Sequence, residues 1–405
     1  MNSEYIVKAK KIITVSKDKT IVNGAMVVRD DKIIDIGKAE DIILKYKELE
    51  IEDFGEYTIS PSLIDCHTHL LEYAPSTVYP VTAETYDLGQ KSLILKALRS
   101  GVTTFGEQIC GSPMTLASIK DFKEIANGLP VKIIFSCNTI TIGFKNLTNF
   151  TSVTRNEAVD KDKLIDNNTI ENLINNSDYP GENIFINATP ANLTEDIVPR
   201  AGEIVYTQEE LNHIVKMFHD KSKRIGCHVA GKEAIKMALK AGFDVIHHGH
   251  EITDEEIKYA SNSNILIVAT PLGGTHLIPN SPDDIYKLIS NNVLVAIATD
   301  AYLPPYQGVS WLDFKDTNPK GSPELMVISK PTMVKLIENG YDENEALALI
   351  TLNAAKVLGT DKNTGSLEIG KDADFIVSDG VPGIDVTGED KIERVYLKGK
   401  CLIKK

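Results

Sequence analysis

Apolar and polar positions alternate along residues 5–57, the period-two pattern of short strands buried on one face. Strands are expected over Tyr5 to Val15, Ala25 to Arg29 and Lys32 to Ile36, the last two joined by a tight turn at Asp30-Asp31. From about residue 58 the pattern becomes apolar runs of four to seven residues, each followed by an amphipathic stretch of helix length, as in βα units around a parallel sheet. The runs are Leu63 to Cys66, Thr103 to Gly106, Val131 to Cys137, Asn183 to Ala188, Arg224 to His228, Val245 to His247, Ile265 to Ala269 and Val293 to Ala298. Strands of that number close a barrel. Helices are expected over Tyr86 to Ser100, Gln208 to Ser222, Lys232 to Ala241, Asp254 to Ser261, Pro282 to Asn291 and Asn344 to Leu358, with Gly101 and Gly242 at helix C-terminal positions.

The tail from about 366 returns to strands, at Ala373 to Ser378 and Arg394 to Leu397, and resembles the start more than the middle. The expected architecture is therefore α/β: a (β/α)8 TIM barrel over 58–365, with a small β-sandwich domain built from both chain termini, residues 1–57 and 366–405. Residues 138–182, rich in Asn and Thr, are expected as an inserted loop with one helix, a lid over the barrel mouth.

Composition narrows the classes of partner. The chain has 405 residues with 43 Lys or Arg against 57 Asp or Glu, a net charge of −14. That excess of acid repels phosphate backbones and anionic lipid, so neither nucleic acid nor membrane is an expected partner. The hydrophobic fraction of 42% supports a large core. No run is long and apolar enough to span a bilayer and the first residues lack a signal-peptide pattern, so a cytoplasmic protein is expected. Five scattered cysteines indicate neither a disulfide framework nor a Cys-x-x-Cys zinc site.

Six of the nine histidines fall into three short clusters. His67-Thr68-His69 follows the first apolar run, and residues i and i+2 of a strand share a side, so both imidazoles can face one divalent cation or, equally, form a buried hydrogen-bonded pair. His228 ends the fifth run, at the face where catalytic groups gather in barrels. Of His247, His248 and His250, one or two are expected to aim inward, with His250 a solvated loop residue. Asp300 ends the eighth run; aspartates there often cap helices, but this one would converge with the histidines across the barrel mouth.

These features, together with Ile59-Ser60-Pro61-Ser62-Leu63-Ile64-Asp65-Cys66-His67-Thr68-His69, Gly101-Val102-Thr103-Thr104, Ala241-Gly242-Phe243-Asp244, Ala298-Thr299-Asp300 and Gly365 to Asp374, resemble the metal-dependent amidohydrolase superfamily, most of all its imidazolonepropionase and Xaa-Pro dipeptidase-like group. The resemblance implies that His67, His69, His228 and Asp300 hold a divalent metal, zinc above others, with His248 a ligand or hydrogen-bonding partner. Many relatives bridge a second metal with a carboxylated lysine on strand four. Asn183 to Thr189 contains no lysine, which favours one ion. Cys110 is a candidate bridging ligand that keeps two ions open, and Glu107 a candidate for binding or orienting substrate. The resemblance also implies a homo-oligomer.

The implied chemistry is hydrolysis of a C–N bond in an amide, a cyclic amide or a small acyl-amino acid or dipeptide, by a metal-activated hydroxide with Asp300 as general base and acid and His228 or His248 stabilising the oxyanion. The alternative is deamination of a heterocycle at the same centre. Many deaminases of the superfamily carry His-x-x-Glu after strand five, where this chain has His228-Val229-Ala230-Gly231. Tyr73, Tyr302, Tyr306 and Trp311 lie in loops able to reach the mouth and stack on a small-molecule substrate. A catalytically silent barrel would have lost this ligand set.

Overall fold

The computed structural model describes residues 4–111, 117–155 and 157–405. The chain divides into two compact units: Met1–Asp65 with Leu95–Thr104 and Pro323–Lys405, and Cys66–Ile94 with Phe105–Ser322.

In the first unit both chain ends enter one sheet. Its strands run in the order Lys400–Lys404, Ile392–Leu397, Phe375–Ser378, Thr58–Pro61, Glu4–Ile13, Thr20–Arg29 and Lys32–Lys38, with Glu50–Asp53 also paired to Glu4–Ile13. The expected Asp30-Asp31 turn joins Thr20–Arg29 to Lys32–Lys38, with Asp30 at φ 54°, a left-handed conformation that aspartate tolerates. Alternate side chains from distant strands, among them Val7, Ile12, Met26, Phe375 and Tyr396, bury together in one cluster, while Ile6, Ala25 and Val27 pack with the helix Ala39–Lys45 in another. The helical pattern expected over Asn344 to Leu358 resolves into two helices, Glu343–Ala348 and Leu352–Leu358. Leu349 to Thr351 break them, Thr351 standing at φ −136°, ψ −93°, outside helical geometry. The helix Leu325–Glu338, with Pro331 inside it, is an element that the apolar pattern did not single out.

The second unit carries most of the parallel strands, and all eight expected apolar runs contribute strand residues. Leu63–Thr68, Val102–Ile109 and Lys132–Cys137 make one ladder. Thr139–Thr141, Ile184–Phe185, Gly226–Ala230, Val245–His250, Leu266–Ala269 and Leu294–Ile297 make another, with Asn149–Thr151 antiparallel at its edge. The ladders are not continuous with one another. A few backbone hydrogen bonds join their flanks: the Asn138 amide donates to the Ile109 carbonyl on one side, and on the other the Asp300 amide donates to the His67 carbonyl and the His69 amide to the Ala301 carbonyl, about a parallel bridge between Thr68 and Ala301. The strand Leu294–Ile297 ends three residues before Asp300, whose positive φ of 55° departs from strand geometry.

Sequence-local signals set the intervening helices. Thr207 and Glu210 form a capping box for Gln208–Asp220, Ser281 and Asp284 one for Pro282–Ser290, and Gly242 ends Lys232–Ala241 at φ 86°. Residues 138–182 are more ordered than an inserted loop. They hold the short pair Thr139–Thr141 and Asn149–Thr151 and the helices Lys161–Leu164 and Asn167–Asn176, whose Ile170, Leu173 and Ile174 are buried. Among the described residues no helix is long and apolar enough to cross a membrane.

Candidate active site

Within the second unit, the histidines and Asp300 gather around a carboxylate that no expectation included, Glu182. Its Oε1 lies 2.7 Å from Nδ1 of His228 and 2.5 Å from Nε2 of His248; its Oε2 lies 3.3 Å from Nε2 of His67 and 3.8 Å from Nε2 of His69. Asp300 closes the group, with Oδ1 3.1 Å from Nε2 of His67 and 3.4 Å from Nε2 of His69. Nothing in the apolar run that begins at Asn183 marks Glu182, which stands one residue ahead of it. The available signal was a single acidic residue in Pro180-Gly181-Glu182-Asn183, at the mouth of a run otherwise free of charge.

Backbone conformation aims these groups. His67 and His69 take the expected i, i+2 placement at the end of Leu63–Thr68. His248, at φ 68°, and Gly249, at φ 59°, interrupt the alternation of Val245–His250, opposite a register shift between Val229 and Ala230. That bulge lets both His247 and His248 reach the cluster, His247 at His67 and His248 at Glu182, in line with the one or two expected. His250 is fully buried instead of solvated, its Nδ1 2.7 Å from Thr275 Oγ1 and its Nε2 3.2 Å from Thr270 Oγ1. Gly274 permits the close approach: a Cβ there would stand 2.3 Å from Asp300 Oδ2 and 2.4 Å from His248 Cε1.

A surrounding shell sets the tautomers. His247 Nε2 lies 3.1 Å from the Pro180 carbonyl and so donates to it; its Nδ1, 3.0 Å from Nδ1 of His67, then accepts from His67. Thr270 Oγ1 donates to the Gly273 carbonyl at 2.6 Å and accepts from Nδ1 of His248 at 2.7 Å. Both His67 and His248 therefore present the Nε2 lone pair to the carboxylates. Glu107 is buried and accepts from the Thr68 hydroxyl and the Leu70 and Leu71 amides at 2.8, 3.0 and 2.7 Å, pinning the turn after His69 instead of facing substrate. Glu72 accepts from the amides of Cys110 and Gly111 at 2.7 and 2.9 Å.

The donor set fits a divalent cation. Three overlapping trios, His67 with His248 and Asp300, His67 with His69 and Glu182, and Glu182 with His228 and His248, each have ligand atoms within 4.8 Å of one another. A lone pair on His67 Nε2 facing two carboxylates is repulsive unless positive charge stands between them. The same demand appears in the protonation equilibria. Burial lowers the affinity of His67 for a proton, but Glu182 and Asp300 outweigh it and push its pKa up to about 9. Burial opposes ionisation of Glu182 too, yet His67, His228 and His248 hold it well below the usual carboxylate range. For Asp300 the same contest, with His67 the main opposing group, also ends in a lowered pKa. His228, in contrast, is pushed down to about 4 by burial and is a neutral imidazole whose Nε2 has no hydrogen-bond partner.

Cys110 does not join the trios. Its Sγ lies behind the ring of His69, 3.9 Å from Nδ1, accepts from Asn138 Nδ2 at 3.5 Å, and burial pushes its thiol up to about 12. A cavity of about 540 Å³ opens above the cluster and is lined by His69, Glu182, His228 and Asp300. Tyr73 and Tyr302 line it as expected; Tyr306 and Trp311 do not.

The model of the amidohydrolase family matches residues 58–402. A 5-methylthioadenosine/S-adenosylhomocysteine deaminase of Thermodesulfovibrio yellowstonii is 22% identical, over 93% of this chain and 85% of its own length. An imidazolonepropionase of Fusobacterium nucleatum is 23% identical, over 95% of this chain and 92% of its own. Among solved structures, a Xaa-Pro dipeptidase with methionine bound in its active site superposes with a TM-score of 0.70 at 21% identity, covering 98% of this chain and 99% of that one.

Proposed function

The chain belongs to the amidohydrolase family, hydrolases that act on carbon–nitrogen bonds, and from that premise we propose that it cleaves an amide bond of a small molecule at the Glu182 cluster. The observation that carries this reading is the carboxylate of Glu182 ringed by His67, His69, His228 and His248, with Asp300 alongside. Its two oxygens face different histidine pairs, so the donor set would have room for two ions, in place of the single ion favoured by the missing lysine, with Glu182 a donor available to both. His67, His69 and Asp300 would hold one and His228 and His248 the other; nitrogen and oxygen donors of this kind suit zinc. When bound, such a cation supplies a hydrolytic water acidified from about 15.7 toward about 7 and Lewis-acid polarisation of the scissile carbonyl.

The chain's own groups account for the proton movements. Asp300 is ionised at neutral pH, so its carboxylate takes the proton of the attacking water and delivers it to the departing nitrogen as the C–N bond breaks. His228 lines the cavity and, as a neutral imidazole with Nδ1 2.7 Å from the ionised Glu182, donates its one N–H there, so it orients Glu182, and the oxygen that gains negative charge would be met by the cation. Deamination is supported by the deaminases among the relatives, but Glu233, the first acidic residue after His228, is exposed in the helix Lys232–Ala241 and is not a proton shuttle for this site. We also take the two ladders as arcs of one (β/α)8 barrel, and the single sheet with its enclosed cluster as the sandwich domain of residues 1–57 and 366–405. An amide panel scored in parallel for carboxylate and for ammonia tests the function. Amine and carboxylate in equal amounts are expected; ammonia released from a heterocycle without carboxylate would replace this reading with deamination.

A further inference from the structure

Of the described residues lining the cavity, the charged or titratable imidazole and carboxylate groups are His69, Glu182, His228 and Asp300, all members of the cluster, together with the weakly acidic phenols Tyr73 and Tyr302; none of these described residues is a lysine or arginine. The remainder is largely apolar. Ile140, Ile142, Phe144, Leu147 and Phe150 come from the short strand pair of residues 139–151 and its connection, and Phe185 stacks on the His228 ring with centroids 4.2 Å apart and planes 7° apart. Phe144 and Leu147 are 42% and 39% exposed, large apolar side chains held out at the rim of a cavity they line. Lys145, between them, is exposed and outside the lining.

Away from the cation or cations that the cluster would hold, a carboxylate brought into such a cavity loses its water and meets no lysine or arginine among the described lining residues. Apolar or aromatic groups instead bury against Ile142, Phe150 and Phe185, and at the rim cover Phe144 and Leu147. Resting on the amide-hydrolase reading of this site, we propose that the substrate is an uncharged amide with an apolar or aromatic group flanking the scissile bond and no free carboxylate beside it. Water adds its oxygen to the carbonyl carbon, the C–N bond breaks, one proton passes to nitrogen, and the products are the carboxylic acid and the apolar amine. Acyl-amino acids and dipeptides with a free C-terminus are thereby disfavoured, although they lie within the chemistry of the fold.

The test pairs N-phenethylbenzamide with N-benzoylphenylalanine, which differ by one carboxylate on the amine side, using the metal-loaded protein. Amine release and equilibrium binding are both measured. The uncharged member is expected to bind at least about 10-fold more tightly, a methylene-scale discrimination or greater, with kcat/KM favouring it in the same sense. Equal or tighter binding of the carboxylate overturns the proposal. Binding decides it whether or not either compound turns over, whereas the hydrolase reading stands or falls separately on release of carboxylate across the wider amide panel. Phe144→Arg, at the exposed rim, supplies the missing cation and is expected to shrink the binding ratio at least about 5-fold. An unchanged ratio in that folded variant would mean that charge does not govern selection here.

Discussion

The Nδ1 atoms of His67 and His247 lie 3.0 Å apart, and the second nitrogen of His247 reaches the Pro180 carbonyl at 3.1 Å. The carbonyl accepts only, so the order of donation runs from His67 to His247 to Pro180 and leaves the His67 Nε2 lone pair directed at Glu182 and Asp300. His247→Leu removes the orienting partner while keeping the candidate ligands. Affinity for zinc, followed by competition with a chromogenic chelator, is expected to fall about 10- to 100-fold with unchanged circular dichroism. Unaltered affinity would reduce His247 to packing.

Glu182→Gln keeps the shape of the side chain and removes its charge. Elemental analysis of the purified variant is expected to show loss of bound metal, with turnover of an amide substrate down by at least about 100-fold, because the neutral amide no longer balances the cations facing four imidazoles. The wild type is expected to bind two ions per chain at saturation. Saturation at one ion would return the site to a single-metal centre.

Gly274→Ala tests the steric fit between Asp300 and His248. The new methyl group must displace either the Asp300 carboxylate or the His248 ring, and φ at this position is +113°. A loss of activity of about 100-fold is expected from misplacement on the ångström scale. Gly308→Ala is the control, since it has a comparable positive φ of 93° and no heavy atom within 4 Å of the added Cβ, so it carries backbone strain of about 1 kcal/mol without a collision. Equal effects of the two substitutions would assign the defect to strain alone.

Burial pushes the Glu107 carboxyl up to about 7. A raised folded-state pKa means the folded chain holds this proton more firmly than the unfolded chain. The associated stability is fully present below the ordinary value of 4.5 and is lost as pH rises through about 7. The full shift corresponds to about 3 kcal/mol. Denaturant unfolding at pH 4.5 and at pH 8 is therefore expected to show a smaller loss of stability with rising pH in Glu107→Gln than in the wild type. A parallel pH profile in the variant would exclude Glu107 as a source of the dependence.

Much of this molecule was legible before any coordinates. Period-two alternation, Thr207 with Glu210 and Ser281 with Asp284 at helix starts, and Gly242 at a helix end are local signals, and the elements formed where those signals stood. The helix break at Leu349 to Thr351 was not legible, because its apolar pattern runs straight through. Nor was the strand Lys400–Lys404, a five-residue stretch with no alternation of apolar and polar positions, which becomes a strand by pairing with Ile392–Leu397.

The same division holds at the site. Residue type and spacing brought forward His67, His69, His228, Asp300 and one or two of His247, His248 and His250, and the resemblance to the amidohydrolase superfamily singled out His248. The fold decided what stands among them. Glu182 has no distinguishing neighbours in sequence and acquires its role only where four distant histidines surround it. Likewise the shared inward turn of the adjacent His247 and His248 depends on positive φ at His248 and Gly249, a tertiary accommodation that a strict period of two forbids. Sequence determines which groups are available; electrostatic pairing between elements far apart in the chain determines which of them meet.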